Sequence, residues 1–464
     1  TDADDVARVV GGAIDPDAFR AISDAVDGVA FDARPVLVVN DDGTANLTLD
    51  IETDVVDSIE TRLKLEQPGV YPLRIQLRLG DRDDGIVIAT AGTVIQRVGG
   101  AVDTGFDAPP PIDLAVVTAT PGLPLDAGEP TLDLARARLD DAVELAETIT
   151  SPVTLQVPPT MVAENASTPE DAERLANALA DDELVALPIV PLDVSSAAAA
   201  GEAESFTRLL TAGEDLLADA LPTTSSTRDV WIATDPLSAE GAQLLRDLGT
   251  RFVVIPDEVY TSSIDDDVPP TDLFVEAELP DGGTLPVLVV DPLASELTVA
   301  AGERALAEST ATEWAVETLA ELLVEQSGDD ASAPSASAPR RSRVLTTPDL
   351  SSPDARLIGA LEGLAATTPA VRFSPASTLI GRTDVALDAS DEPVIVQLPD
   401  RAGPSLDARV ELIDLTRLEL NSAASMLPDD DPRVAVWATT LDTLISTGYT
   451  DDQAPVSYTH LRAH

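Results

Sequence analysis

The middle of this chain alternates short apolar runs with stretches in which leucine recurs at helical spacing. The clearest example has apolar runs at Val230–Ala233 and Arg251–Ile255. Between them, Ser238 is a typical helix N-cap, and Gly249 stands where a helix would end. The pattern therefore predicts a strand, a helix and a second strand. Continuous apolar strands are typical of a parallel sheet that is covered by helices.

The same alternation continues from Ile112 to Phe373 and predicts seven or eight βα units. No glycine-rich phosphate loop follows the first strand, which disfavours a dinucleotide-binding fold. We therefore predict a closed or nearly closed (β/α) TIM-like barrel. The other predicted strands are Ile112–Thr118, Val153–Val157, Leu184–Val190, Leu273–Leu279, Thr284–Val290, Arg343–Thr346 and Val371–Phe373. The other predicted helices are Leu132–Ile149, Thr168–Ala180 with Thr168 as its cap, Glu202–Leu221, Ala311–Leu323 and Pro353–Ala366.

The N-terminal part has a different period. A predicted helix at Asp4–Asp27 is followed by segments with a strand period of two, separated by polar turns. Short strands without intervening helices favour an antiparallel β-sandwich-like domain. The predicted strand segments are Pro35–Ile51, Ile59–Leu65, Val70–Leu79 and Ile86–Val98.

Changes in pattern divide the chain. Ala108–Pro111 is a stiff proline linker, and helices are predicted at Ser405–Met426 and Val434–Ser446, outside the barrel. The predicted parts are an N-terminal helical segment (1–30), the β-sandwich-like domain (31–107), the linker (108–111), the barrel (112–385), a mostly helical extension (386–454) and a tail (455–464). Val456–His464 resembles a translated sequencing adapter, and we expect it to be non-native.

The charge excludes several partners. The chain has 464 residues and a net charge of −55, and an anion of this size repels nucleic acid and anionic membranes. We interpret the acidity as a solvating surface; a specific cation-binding role is the alternative. No apolar run is long enough to span a bilayer. Thr1 is expected to begin a fragment or a processed chain, from which a signal peptide has been lost.

The chain contains no cysteine, which excludes disulfides, thiolate zinc sites and cysteine nucleophiles. Its two histidines, His460 and His464, lie in the tail, so a Ser-His-Asp set or a histidine zinc site is not expected. A Mg²⁺ or Ca²⁺ site built from oxygens is the remaining alternative. Asp265–Asp267 and Asp429–Asp431 lack calcium-loop spacing and are interpreted as solvated. No metal or cofactor is predicted.

Candidate chemistry lies where predicted barrel strands end. Carboxylates recur there at Asp193, Asp235, Asp257 and Asp291, with Asp349 as a weaker fifth case. Loops at this end of a βα barrel build its active face, and two carboxylates in one cleft can hydrolyse glycosides. The alternative is that each aspartate caps a helix or forms a turn. The catalytic candidates are Asp193, Asp235 and Asp291. Trp231 and Trp314 are either sugar platforms or core residues.

Several sequence segments resemble those of one protein family. They are GVYPLRIQLR (69–78), the proline linker, LPIVPLD, VWIATDPLSAEGAQLLRDLGTRFVVIPDE and VVDPLAS. Together they resemble an actinobacterial family of secreted envelope proteins with no established activity. The resemblance implies a signal peptide, an N-terminal β domain, a barrel like those of glycoside hydrolases and deacetylases, a later β domain and a membrane anchor. It also implies an extracytoplasmic location. Deacetylases of that superfamily use an aspartate and histidine metal set, which this chain lacks.

Three hypotheses follow. The first is a cell-envelope protein whose barrel binds glycan or another envelope protein and is not catalytic. The second is a carboxylate-dependent hydrolase of cell-wall or extracellular polysaccharide that uses Asp193 or Asp235 with Asp291. The third is a cytoplasmic barrel of sugar metabolism.

Overall fold

A computed structural model describes the barrel region and its C-terminal helices. The described ranges are 110–122, 128–263, 272–291 and 339–449, apart from 225, 367, 369, 389 and 429–430, together with four N-terminal strands and helical residues between 311 and 323. The chain forms two compact units. One comprises Thr1–Pro110 and Ala307–Ala338, and the other comprises Pro111–Leu306 and Pro339–His464.

The N-terminal unit contains two antiparallel hairpins. Strand β1 (Val36–Val39) pairs with β2 (Ala45–Thr48), and β3 (Gly69–Leu79) pairs with β4 (Ile86–Arg97). Both hairpins follow the predicted antiparallel pattern. The assembly of these strands into a sandwich stays a prediction, and the predicted elements Asp4–Asp27 and Ile59–Leu65 lie outside the described residues.

The second unit begins with a parallel sheet. It is built from β5 (Ile112–Ala119), β6 (Val153–Val157), β7 (Glu183–Ala186), β12 (Ser342–Leu345) and β13 (Val371–Phe373). Strand β5 is central: β12 lies on one side of it, and β13 and β6 share the other side. Every pairing in this sheet is parallel.

A second sheet supplies the other half. It contains β8 (Val230–Ile232), β9 (Phe252–Ile255), β10 (Val275–Glu278), β11 (Thr284–Val289) and β14 (Ile395–Val396). The order is β14, β10, β11, β9, β8, and only the β10–β11 hairpin is antiparallel. Its turn includes Gly282 at φ +81°, a left-handed conformation that glycine adopts without strain.

Hydrogen bonds join the two sheets at both edges. Thr227 N donates to Leu184 O at 2.7 Å beside β7, and Ser342 N donates to Asp272 O at 2.9 Å beside β12. The strands therefore form a nearly closed (β/α) barrel, as the sequence predicts. The β10–β11 hairpin interrupts its otherwise parallel order.

Alternating strand residues divide the core into two layers. An inner cluster includes Val117, Ile232, Val254 and Val344, all nearly fully buried. An outer cluster includes Val253, Val287 and helix residues such as Phe206. Both faces of the strands are thus covered, which explains their continuous apolar sequences.

Helices form the outer layer, and five of them begin at a residue whose side chain caps the helix. They are α1 (Glu129–Thr148), α2 (Pro159–Asn165), α3 (Pro169–Ala178), α4 (Val194–Ala199), α5 (Ala203–Ala220), α6 (Ala239–Asp247), α7 (Asp257–Ser263), α8 (Ala355–Ala365), α9 (Asp407–Ala424) and α10 (Pro432–Leu444). The predicted caps Thr168 and Ser238 accept from the amides of Asp171 and Gly241. None of the helices in the described ranges has both the length and the apolar character that a bilayer crossing requires.

The structure adds detail to two predicted features, the end of β7 and the position of the C-terminal helices. The strand predicted at Leu184–Val190 ends at Ala186, because Pro188 lacks an amide hydrogen for the ladder. The C-terminal helices pack on the barrel: Leu406, Ile413 and Leu441 belong to its outer core.

Candidate functional site

A cavity opens at the C-terminal ends of β6, β7 and β8. Its volume is about 120 Å³. The lining residues are Gly122, Gln156, Leu187, Pro188, Pro191, Leu192, Asp193, Val194, Trp231, Ala233, Thr234, Asp235, Pro236, Leu237 and Thr447. Two of the three predicted catalytic candidates, Asp193 and Asp235, therefore share one pocket.

Asp193 is held firmly by its surroundings. It is the N-cap of α4, and its Oδ1 accepts from Ser196 N at 2.6 Å. Gly403, at φ +73°, lies so close that a Cβ there would be 2.3 Å from the same oxygen. The aspartate thus performs the capping role that the sequence offered as the alternative to catalysis.

Asp235 has a more open position. It is exposed, and Thr234 Oγ1 donates to its Oδ2 at 3.0 Å. Burial and the charge of Asp235 raise the pKa of Asp193, although the Ser196 hydrogen bonds oppose this shift. The pocket therefore combines a half-buried carboxyl that retains its proton more readily with an exposed carboxylate.

Hydrogen bonds between neighbouring loops support both aspartates. Ser238 N donates to Ser195 Oγ at 3.0 Å, which joins the start of α6 to the start of α4. The two helices approach closely there, because a Cβ on Gly241 would lie 2.8 Å from Ser195 Oγ. The separation between the Asp193 and Asp235 loops is consequently fixed by backbone packing.

The side chain of Gln156, which lines the cavity, bonds to the backbone of β8. Its Nε2 donates to Ile232 O at 2.9 Å, and its Oε1 accepts from Ile232 N at 3.0 Å. The side chain thereby takes the place of a neighbouring strand beside β8. Sequence reasoning missed Gln156, although a glutamine in the apolar run VTLQV was a usable signal.

Trp231 has mainly a packing role. Its ring lies 6.2 Å from that of Phe206, centroid to centroid, and it is only partly buried at the edge of the cavity. The other tryptophan considered, Trp314, is outside the described residues.

Asp291 lies in a different group. It forms an ion pair with the buried Arg343, and it is not among the cavity residues. Burial, the charge of Asp291 and that of Glu258 raise the pKa of Asp257. Asp257 and Asp291 are therefore neighbours beyond β9 and β11, away from the cavity.

The weaker candidate Asp349 is engaged in its own loop. Its carboxylate accepts from Thr347 Oγ1 at 2.8 Å and from Ser351 Oγ at 2.7 Å, and it pairs with Arg138. Although burial opposes the change, these hydroxyl donors and the arginine lower the pKa of Asp349. This arrangement favours a structural role.

Within the described ranges, no group of three or more histidine, cysteine, aspartate or glutamate side chains is arranged to hold a metal ion. Asp265–Asp267 lies outside those ranges. In the other acidic run, Asp431 caps α10 by accepting from Arg433 N.

Comparisons with known proteins give similarities of fold only. No family model and no curated protein sequence matches the chain. Solved structures that resemble it include a 4-alpha-glucanotransferase from Thermococcus litoralis (TM-score 0.44, 11% identity, 72% of this chain and 53% of that one). A glycosyl hydrolase family 38 protein from Enterococcus faecalis matches with a TM-score of 0.45 and 11% identity, over 77% of this chain and 39% of that one. A putative polysaccharide deacetylase from Mycobacterium smegmatis matches with a TM-score of 0.37 and 15% identity, over 62% of this chain and 95% of that one.

The chain spans about half of the glucanotransferase and about two fifths of the family 38 protein. At these identities the resemblance concerns the fold and does not extend to activity.

Proposed function

We propose that the barrel binds carbohydrate in the cavity between the 187–194 and 233–237 loops without hydrolysing it. The observation that carries this proposal is the state of Asp193. Its carboxylate caps α4 and lies against Gly403, so it is committed to holding the loop. Among the cavity residues, this leaves Asp235 as the exposed carboxylate.

The cavity suits a sugar in size and chemistry. Thr234, Asp235 and Thr447 offer hydroxyl and carboxylate oxygens, which hydrogen-bond to sugar hydroxyls, and Trp231 adds an aromatic edge. About 120 Å³ is small beside the roughly 300–1,000 Å³ of pockets that enclose larger ligands. We therefore propose recognition of one terminal sugar ring of a glycan.

Hydrolysis is the second candidate function. The raised pKa of Asp193 beside Asp235 is the pattern expected of a general acid next to an ionised carboxylate. A retaining glycosidase needs its carboxyls about 5–5.5 Å apart, and an inverting one about 6.5–9.5 Å. Activity would require Asp193 to donate its proton from Oδ2, because Oδ1 is engaged in the cap.

Binding and hydrolysis can be measured on the same samples. The full chain is mixed with cell-wall glycan and with oligosaccharides of glucose, mannose and N-acetylglucosamine, at low and high salt. Calorimetry measures binding, and mass spectrometry detects released sugar. We expect binding without product, and we expect Asp235→Asn to weaken binding about tenfold, because a charge-assisted hydrogen bond is lost.

Asp354→Asn is the matched control. Asp354 caps α8 through the amides of Arg356 and Leu357, and asparagine caps as well as aspartate. This variant should bind like the parent protein. Released sugar that disappears in both Asp193→Asn and Asp235→Asn would make the protein a hydrolase, and the absence of any binding would remove the carbohydrate proposal.

We also propose an extracytoplasmic location at the cell envelope, with cell-wall glycan as the partner. The support is the sequence resemblance at 69–78 and in the barrel segments named above. Fractionation of cells that express the complete gene tests this location against a cytoplasmic marker. Recovery with the cytoplasmic marker would favour the third hypothesis, and capture of an envelope protein in place of glycan would favour a protein partner.

A further inference from the structure

The C-terminal segment forms part of the cavity, although it lies far along the chain from the barrel loops. Thr447 is one of the lining residues, and its Oγ1 accepts from Asp193 N at 3.1 Å. Thr447 N donates to Pro191 O at 3.0 Å, and Ser446 Oγ donates to the same oxygen at 2.8 Å. The turn therefore holds the loop that carries Asp193.

Arg409 holds this turn from the other side. It belongs to α9 and is only 8% exposed. Its guanidinium donates to Ser446 O and to Tyr449 O, the latter at 2.9 Å. A guanidinium presents donors in a fixed fork, so one arginine can fix two carbonyls that lysine could not hold together.

We propose that the turn Ser446–Tyr449 is a wall of the binding pocket, with Thr447 contacting the ligand and Arg409 as a positioning residue. This inference rests on the proposed carbohydrate-binding function. It means that the pocket is incomplete in the barrel alone and requires the C-terminal helices.

The chemistry of Thr447 fits a sugar ligand. Its oxygen accepts from the Asp193 amide, and its proton is shared with Pro191 O at 3.4 Å, so its second lone pair can accept from a sugar hydroxyl. Valine has the same shape as threonine but lacks the hydroxyl, whereas serine keeps it. Thr447→Val and Thr447→Ser therefore separate the hydroxyl from the packing.

Hydrogen exchange tests the positioning without any ligand. Peptides covering 188–194 are followed by mass spectrometry in the full chain, where Pro188 and Pro191 contribute no amide. In Thr447→Val, we expect exchange at Asp193 and its neighbours to be roughly fivefold faster, because one net hydrogen bond is lost. Thr447→Ser should restore the parent rate.

Arg409→Lys should accelerate exchange in the same peptides, because one ammonium cannot hold both carbonyls of the turn. Arg409→Met should do so more strongly. If the methionine variant does not fold, the lysine variant carries the comparison.

Two control changes affect the C-terminal helices without touching the turn. Thr416→Val removes a hydroxyl that bonds only to Leu412 O within α9, and Arg208→Gln breaks the exposed pair between α5 and Asp442 of α10. Neither change should alter exchange at 188–194. An equal acceleration in these controls would mean that general loosening of the helices is responsible, and would overturn the positioning role.

Binding is then measured with the oligosaccharide that the parent protein binds best. We expect Thr447→Val to weaken it about tenfold and Thr447→Ser to bind nearly as the parent does. Unchanged exchange in both Thr447→Val and Arg409→Lys would overturn the inference even if sugar binds. Faster exchange in a protein that binds no sugar would retain the positioning role, overturn ligand contact by Thr447 and remove the proposed function.

Discussion

Two pairs of aspartates lie at the same end of the barrel, and they differ in what surrounds them. Asp193 and Asp235 share a cavity, and Asp193 carries a raised pKa. Asp257 and Asp291 also repel each other, but Arg343 forms an ion pair with Asp291. The buried Arg343 gives the second pair a structural ion-pair partner, whereas the first pair faces a cavity and is open to a ligand.

The comparison shows that position in a βα barrel does not decide function by itself. All four aspartates follow predicted strands, so the sequence pattern gives the same prediction for each of them. Their roles depend on the side chains that other strands bring beside them. Three changes test this difference, beginning with the largest expected effect.

Removing the cation from the second pair should destabilise the fold most. Arg343→Met removes the buried cation that pairs with Asp291 close to Asp257, and breaking a buried pair in this way costs about 3–5 kcal/mol. Urea unfolding at neutral pH, followed by circular dichroism, measures the loss.

Arg433→Met is the matched control, because the side chain of Arg433 is 61% exposed in its pair with Asp431. An exposed pair contributes at most about 1 kcal/mol. Similar losses in the two variants would contradict a structural role for the pair of Asp291 and the buried Arg343. Asp235→Asn should leave stability within about 0.5 kcal/mol.

Adding a methyl group above Asp193 should have an intermediate effect. In Gly403→Ala, the new Cβ would meet the Asp193 carboxylate, and alanine is strained at φ +73°. We expect a loss of about 1–3 kcal/mol in the free energy of unfolding, together with weaker sugar binding.

Gly359→Ala is the control for that change. Gly359 lies within α8, and no atom would lie within 4 Å of its added Cβ. Alanine favours a helix interior, so this variant should gain about 0.5–1 kcal/mol. A Gly403→Ala protein as stable as the parent would show that the 403 loop does not press on Asp193.

The pH dependence of Asp193→Asn should give the smallest effect. Since the pKa of Asp193 is raised above its ordinary value of 3.8, the folded protein binds this proton more tightly than the unfolded chain. The stability from this proton is present at acid pH and is lost as pH rises through the folded pKa. Asparagine cannot ionise, so the variant should gain on the parent as pH rises from about 4 to 7.

Unfolding midpoints across that pH range measure the gain. Asp354→Asn makes the same substitution at the cap of α8 and so corrects for the effect of replacing a capping aspartate. Asp235→Asn removes the neighbouring charge, so the gain should shrink when Asp193→Asn is added to that background. A gain that falls with rising pH would mean that the pKa of Asp193 is lowered.

Local features of the fold were predictable because their causes lie within a few residues. The strand Val153–Val157 was predicted with its observed bounds, and the caps Thr168 and Ser238 act as expected. A cap needs only a side-chain oxygen and an amide two or three residues away. The end of β7 was missed, because the apolar run continues beyond Pro188.

The pocket was predictable only in part. The rule that active sites lie at the C-terminal ends of barrel strands gave Asp193 and Asp235. It could not separate them from Asp291, whose partner Arg343 lies 52 residues away. Thr447 and Arg409 carry no local signal, because their contacts join segments that are distant in sequence.

The sequence by itself determined the alternation of strands and helices, the parallel barrel, the acidic surface and the absence of cysteine chemistry. These follow from hydrophobic period, local capping and composition. Tertiary structure alone decided which carboxylates meet, which of them pairs with a buried cation, and that Thr447 lines the pocket. Such contacts depend on the strand order and on which distant segments the fold brings together, because electrostatic and hydrogen-bond energies are set by distances in space.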